Sequence, residues 1–278
     1  MKKNQNQTSP SGGVSLRLQS EISLGGLGCF PLRALFRGLL CMLALSALPL
    51  HAQDSSETGL WMSAEAQKKL SKQWSVSGEA EYRLRENLGS TDRWTVALSA
   101  AYKPVGWLKF DAGYKFMRVL NDDESSFRDD GTMKKFTPSW WCTKHRFFAS
   151  ATGTLSAGRL DLSLRERWQY TYRPETTVDR YDNIEEEWED KTKDGKASHV
   201  LRSRLQAEYN IPSCKVDPFA SVELYNQSGG LQKVRYTIGA DWKVSKKHQL
   251  SLFYRFVDEK NSDDPDRHVI GLGYKVKL

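Results

Sequence analysis

Between Gly59 and Leu278 the chain alternates apolar and polar residues with a period of two, the spacing at which a β-strand turns successive side chains to opposite faces. In the clearest stretch Trp74, Val76, Gly78, Ala80, Tyr82 and Leu84 fall on one face. Ser75, Ser77, Glu79, Glu81, Arg83 and Arg85 fall on the other. A helix at about 3.6 residues per turn would mix these two sets. Leu160 to Tyr172 repeats the sorting with Glu166 as its one misfit, and so do the runs that begin at Val234, Leu250 and Ile270. Weaker alternation marks Trp94 to Tyr102, Leu108 to Phe116, Phe147 to Leu155, Leu201 to Tyr209 and Pro218 to Leu224. The pattern predicts ten strands after Trp74 and an eleventh, of poorer alternation, from about Gly59 to Leu70.

Most of these runs approach the roughly 9–11 residues that cross a bilayer at the tilt of a barrel. The connections alternate in length. Short ones carry turn residues at Ser71 to Gln73, Pro104 to Gly106, Ala157 to Gly158, Ile211 to Lys215 and Ser245 to Lys247. Long polar ones lie between them at Asn121 to Thr143, Arg173 to Ser198 and Asp258 to Pro265. Trp74, Tyr102, Trp107, Tyr209 and Trp242 fall beside the short turns, whereas Trp94, Phe116, Phe147, Trp168, Tyr170, Tyr236 and Tyr254 fall towards the long loops. These are the two aromatic girdles of a membrane barrel. A soluble β-sandwich also alternates, but uniform strand length and asymmetric connections argue against it.

The expected fold is therefore all-β: an antiparallel transmembrane up-and-down barrel of 10 to 12 strands, about ten from Trp74 to Leu278 plus an N-terminal segment. Parity poses a difficulty at eleven. Either ten strands close without the Gly59 segment, which then threads or plugs the lumen, or a short extra strand makes twelve.

The only long apolar run, Leu39 to Leu50, follows Arg33 and Arg37 and ends near Ala52, which is the arrangement of a cleaved secretory signal. Residues 1–52 are assigned as a signal peptide with an over-long n-region and 53–278 as the barrel domain, exported to the cell outer membrane. Neither Cys29 nor Cys41 has the setting of a lipidated cysteine. Mean hydropathy of -0.60 and 27% charged residues exclude an ordinary helical membrane protein. The leader holds Lys2, Lys3, Arg17, Arg33 and Arg37 against Glu21, so removing it lowers the formal +7 to about +3. With both signs interspersed along the chain, no nucleic-acid partner is expected. The expected partners are outer-membrane lipid, lipopolysaccharide and the barrel-assembly machinery, and the protein is expected to be a monomer.

Leu60-Trp61, Glu81-Tyr82-Arg83 followed by Asn87, Asp92-Arg93-Trp94, Tyr102-Lys103-Pro104 with Trp107-Leu108-Lys109, Arg165-Glu166-Arg167-Trp168-Gln169-Tyr170 and Leu201-Arg202-Ser203-Arg204 together resemble the outer-membrane proteins grouped as domain of unknown function 2490. The likeness covers nearly the whole mature chain. This family is common in Bacteroidota, and the resemblance implies a fold and a location but no activity. Gly271 to Leu278 resembles a barrel-assembly signal, ending in Leu in place of the more usual Phe or Trp.

Chemistry is sought on the polar face of the strands. Candidate lumen-lining residues are Glu79, Glu81, Arg83, Arg85, Arg165, Arg167, Arg202, Arg204, Glu208, Glu223 and Arg255. Lys109, Asp111, Lys115, Arg235 and Asp241 share that face. A small barrel has an interior that side chains fill, so a packed, mutually neutralising network is one reading. The other is an arginine ladder, Arg165 and Arg167 beside Arg202 and Arg204, along an anion-attracting path. Carboxylates such as Glu208 and Glu223 are available to pair with these arginines.

No catalytic residue, cofactor or metal ligand is assigned. A barrel lipase needs a Ser within reach of a His, and His145, His199, His248 and His268 are followed two positions later by Phe147, Leu201, Leu250 and Ile270. The acidic loops around Asp122 to Asp130 and Glu185 to Asp190 lack calcium-loop spacing and read as solvated. Cys142 and Cys214 are placed at opposite ends of the barrel, too far apart to bridge, and both thiols are expected to stay unpaired. The function expected from all this is a structural role or a narrow channel with a charged lumen. A lipid-modifying enzyme and a surface binding protein acting through the acidic loops are the alternatives.

Overall fold

The computed structural model describes residues 56–260 and 265–278. The signal segment 1–52 lies outside them. In chain order the strands are β1 (Glu57–Lys69), β2 (Trp74–Arg85), β3 (Ser90–Val105), β4 (Leu108–Asn121), β5 (Glu124–Phe127), β6 (Met133–Thr137), β7 (Trp140–Ala157), β8 (Leu160–Arg173), β9 (Thr176–Asp182), β10 (Glu187–Lys193), β11 (Lys196–Tyr209), β12 (Val216–Gln227), β13 (Gly230–Trp242), β14 (His248–Glu259) and β15 (Arg267–Lys277). Eleven of them close into a barrel in the order β1, β15, β14, β13, β12, β11, β8, β7, β4, β3, β2. Each of the ten alternating runs after Trp74 falls on one of these strands.

Closure corrects both resolutions of the parity problem. The Gly59 segment neither plugs a ten-stranded barrel nor requires a twelfth strand. It is β1, paired antiparallel with β2 and parallel with β15, from Glu57 opposite Arg267 to Gln67 opposite Lys277. An odd number of up-and-down strands leaves its first and last members pointing the same way, so the seam has to be parallel.

Side-chain contacts that skip a strand identify the interior, because only the concave face brings second neighbours together. Lys115 on β4 reaches Glu79 on β2, Arg167 on β8 reaches Asp111 on β4, and Arg165 on β8 reaches Glu223 on β12. The opposite faces carry exposed apolar residues such as Val96, Leu98, Leu164, Leu205, Ile238, Leu252 and Leu272. Trp74, Trp107, Tyr209 and Trp242 are exposed beside the short turns, and Trp94, Phe147, Trp168, Tyr236 and Tyr254 lie outward towards the other rim. Inside, Trp61, Val257 and Val269 form a small buried cluster at the seam, and Met117, Val119 and Cys142 form another between β4 and β7.

Two long connections expected as loops are structured. Each folds into a hairpin, and the hairpins join as a four-stranded sheet in the order β10, β9, β6, β5. That order matches the barrel strands β11, β8, β7, β4 from which they rise, so the sheet continues one side of the wall. Pro138 and Pro174, which have no N–H to donate, sit at two of the breaks between wall and sheet. Lys193 on β10 forms an ion pair with Glu124 on β5, across the two intervening strands, which curls the sheet. Cys142 is buried and free, so no bridge joins it to Cys214. The expectation for Cys214 itself is corrected: it is disulfide-bonded.

Glycine makes room for aromatic rings on the inner wall. A Cβ at Gly271 would lie 1.9 Å from the Phe253 ring, and one at Gly239 would lie 2.6 Å from the Phe253 Cβ and 2.8 Å from the Phe219 ring. Gly271 pairs with Phe253 across β14 and β15, as Gly239 does across β13 and β14. Replacing Gly271 with Ala should therefore destabilise the barrel by about 1–3 kcal/mol. Urea unfolding in detergent, with the added substitution Phe253→Leu expected to recover part of the loss, checks this.

Candidate functional site

The lumen is organised around Glu223, 5% exposed. Its carboxylate accepts from Arg165 Nη2 at 2.6 Å, from Arg202 Nη2 at 2.8 and 2.9 Å, and from the Tyr225 hydroxyl at 3.0 Å, with Arg235 Nη1 at 4.0 Å. These side chains come from β8, β11, β12 and β13, so one carboxylate ties four strands together. The strand register explains the crowding. Arg165 stands opposite Arg204 and Arg167 opposite Arg202 in the β8–β11 ladder, and like charges opposite one another repel.

A second cluster is built on Trp61, whose ring packs against Arg83 at 3.6 Å, Arg255 at 4.8 Å and Arg235 at 5.0 Å. Arg202 and Arg235 also lie over Tyr225, at 4.5 and 4.4 Å. Cation–π contact of this kind stabilises a guanidinium but leaves its charge in place. Arg146 on β7 interacts electrostatically with Arg83 on β2 and with Tyr225 on β12, and Arg202 does so with Glu81 on β2. Charge from several parts of the wall thus meets at one level of the lumen.

Of the residues singled out in the sequence, Arg165, Arg167, Arg202, Arg204 and Glu223 are brought together, and Arg83 and Arg255 meet at Trp61. Arg167 bonds Asp111 at 2.9 Å and Ser150 at 3.3 Å. Glu81 pairs with Arg83 at 2.9 Å, and Glu79 with Lys115 at 3.2 Å. Arg85 sits apart, paired with Asp122 and, at 3.3 Å, with Glu86. Glu208 lies towards the short-turn rim with Asp161, Asp217 and Asp241, where Lys243 pairs with Asp217.

The arginines therefore crowd into a belt in the middle of the lumen, whereas the carboxylates towards the short-turn rim stand with lysines, as Asp217 does with Lys243 and Glu65 with Lys275. Trp61, Arg146 and Tyr225 were missed in the sequence. Extending the period-two register of Arg202 and Glu223 by one step reaches Tyr225, whereas the blurred alternation of β1 hid Trp61.

Within the belt the carboxylates are too few. Arg146 donates to Thr171 and Arg255 to Thr237, both at 2.9 Å, but among the described residues neither has a carboxylate in ion-pair range. Arg204 has none either, and its buried Nε has no hydrogen-bond partner. Replacing Glu223 with Gln should remove the main compensating charge and destabilise the barrel by about 3 kcal/mol. The same unfolding measurement checks it, and Arg202→Gln in that background should recover part of the loss by removing a repelled cation.

The histidines among the described residues are engaged elsewhere. His145, His248 and His268 share hydrogen bonds of 2.7, 2.7 and 2.6 Å with the hydroxyls of Tyr114, Tyr274 and Tyr254, and His199 stacks on Trp168. Among the described residues no group of His, Cys, Asp or Glu is arranged to hold a metal ion.

The loop sheet has its own ion cluster. Lys135 on β6 bridges Asp182 on β9 at 2.8 Å and Glu189 on β10 at 2.7 Å, and Arg180 shares Glu189 at 2.7 Å. The Lys135 ammonium holds the Asp182 and Glu189 carboxyls below their usual range, and the backbone N–H of Ile184 adds to the effect at Asp182. Those carboxylates in turn raise the Lys135 ammonium, Asp182 more than Glu189.

A lowered carboxyl contributes stability that is present above its unfolded pKa and lost as pH falls through the folded one. A raised ammonium contributes stability that is present below its unfolded pKa and lost as pH rises through the folded one. The β6–β9 junction should therefore be tightest between the ordinary carboxylate and lysine values and loosen under acid or strong base. Hydrogen exchange of the Lys135 and Asp182 amides, corrected for intrinsic rate, reads this, and Lys135→Met should flatten the profile.

An eleven-stranded closed barrel with a charged interior and an apolar outer surface is thus the class of protein defined by fold and site. A family model described as "Protein of unknown function (DUF2490)" matches residues 58–268, and the chain belongs to that family. No curated protein matches it. Among solved structures it is similar to the β domain of the Bordetella autotransporter BrkA, with 15% identity, 72% of this chain and 79% of that one covered, and a TM-score of 0.48. It is also similar to the NanC porin, with 12% identity, 80% and 99% covered, and a TM-score of 0.45. The translocator domain of the autotransporter NalP from Neisseria meningitidis matches with 10% identity, 85% and 92% covered, and a TM-score of 0.47.

Proposed function

We propose that this protein is an outer-membrane channel, narrow and anion-preferring, whose constriction is the arginine belt. The observation that carries the reading is the shortage of carboxylates around Arg146, Arg204 and Arg255. An uncompensated guanidinium is too costly to hold in a dry interior, so the belt requires water or mobile anions around it. A sealed, self-neutralised plug would instead balance its charges one for one.

The exposed apolar outer surface and its two aromatic girdles support a bilayer setting, with lipid and lipopolysaccharide as its surroundings. The leader-like residues 1–52 support export. Every barrel strand finds both neighbours within one chain, so the wall is complete without a second copy, which supports a monomer.

The refolded mature protein in a planar bilayer, under a salt gradient, is expected to give small discrete openings with a reversal potential on the anion side. Arg146→Gln combined with Arg255→Gln should move that potential towards neutrality without stranding a carboxylate. Silence from protein shown to be folded by heat-shifted gel mobility would overturn the channel reading.

A further inference from the structure

We propose that the belt contains a discrete oxyanion site, centred on Arg204 with Arg165 and Arg202 beside it, which takes the carboxylate or phosphate group of a solute. It rests on the channel reading only for how a solute reaches it. The site is defined by what Glu223 does and leaves undone. In the β11–β12 ladder Glu223 stands directly opposite Arg204. Its oxygens nevertheless go to Arg202 on the adjacent β11, Arg165 on β8 one strand further, and Tyr225 on its own strand. Asp111 is taken by Arg167 in the same way.

Arg204 is left between Arg165 and Glu223 in register, with no carboxylate in ion-pair range among the described residues. The Nε donors of Arg165, Arg202 and Arg204 are all buried without an acceptor. Five guanidiniums, those of Arg165, Arg167, Arg202, Arg204 and Arg235, thus share two carboxylates, and all but Arg167 hold an unused Nε donor. A buried donor without an acceptor is costly, and native structures rarely keep several together.

The ligand class follows from the geometry of the donors. A guanidinium offers parallel N–H groups in a fork that matches two oxygens of one carboxylate or phosphate. Chloride presents a single centre and cannot satisfy forks arriving from two strands. A polyatomic oxyanion can bridge Arg204 to Arg165 across the β8–β11 ladder and turn the repulsion between them into attraction.

The test uses the full mature protein in detergent at constant ionic strength. Its thermal unfolding is followed as sodium chloride is exchanged for malonate in one arm and inorganic phosphate in the other. The expected result is saturable stabilisation by at least one oxyanion over chloride, and the arm that responds assigns the group as carboxylate or phosphate. Arg204→Gln, which strands no carboxylate, should weaken that binding by roughly tenfold or more. Arg204→Lys, which keeps the charge but lacks the fork, should fall between, and it serves alone if the Gln variant does not fold.

Equal behaviour of chloride, malonate and phosphate in the wild-type protein overturns the site, and so does binding unchanged in Arg204→Lys. The two proposals fail separately. Conductance without oxyanion preference removes the site and leaves the channel, whereas oxyanion binding by a non-conducting protein removes the channel and leaves the site.

Discussion

Closure of the sheet is the constraint on which the other features rest. A strand with an open edge leaves its backbone N–H and C=O groups unpaired, and where no water reaches them that arrangement is untenable. Here the last ladder is the parallel one between β1 and β15, and it spans nearly the full length of both strands. Once the cylinder closes, the period of two becomes a division between two environments. The same alternation that places Leu98 and Leu164 outside commits Arg165, Arg202 and Glu223 to a confined interior.

Confinement then makes the ratio of charges decisive. On an open surface, Arg165 and Arg204 facing each other would be a minor repulsion screened by salt. Inside the barrel they need a shared counter-charge, and Glu223 supplies it to Arg165 and Arg202 but not to Arg204. Aromatic faces take part of the load, with Trp61 and Tyr225 each contacting several cations. The carboxylates that would complete the balance, Glu208, Asp161, Asp217 and Asp241, lie nearer the short-turn rim. The surplus of guanidiniums is therefore concentrated in the middle of the lumen.

Much of this was legible in the sequence because period two is a local property. Trp74 to Arg85 announces a strand without reference to any other part of the chain, and the arginine ladder of Arg165, Arg167, Arg202 and Arg204 follows from two such strands being neighbours. Pairing across the seam was not legible, since nothing local to Glu57–Lys69 says that its partner is more than two hundred residues away. The curled loop sheet was hidden for a related reason: β5, β6, β9 and β10 are short, polar and charged, and β6 and β9 meet at only Lys135–Asp182 and Phe136–Tyr181. Which arginine would lack a partner was likewise beyond the sequence, because Glu223 chooses among cations by side-chain reach and not by register.

The odd strand count bears on how the molecule comes to be built. Up-and-down barrels with an even count return both chain ends to the same rim, the one from which a newly exported polypeptide arrives. Here β1 begins beside Arg267, at the rim of the long connections, while β15 runs out at the opposite rim near Leu278. The first and last strands of the barrel therefore run the same way along the seam, and β1 starts at the rim where β15 also starts. The strand made earliest thus supplies the final seam, and assembly must hold a leading end in waiting until the trailing one arrives.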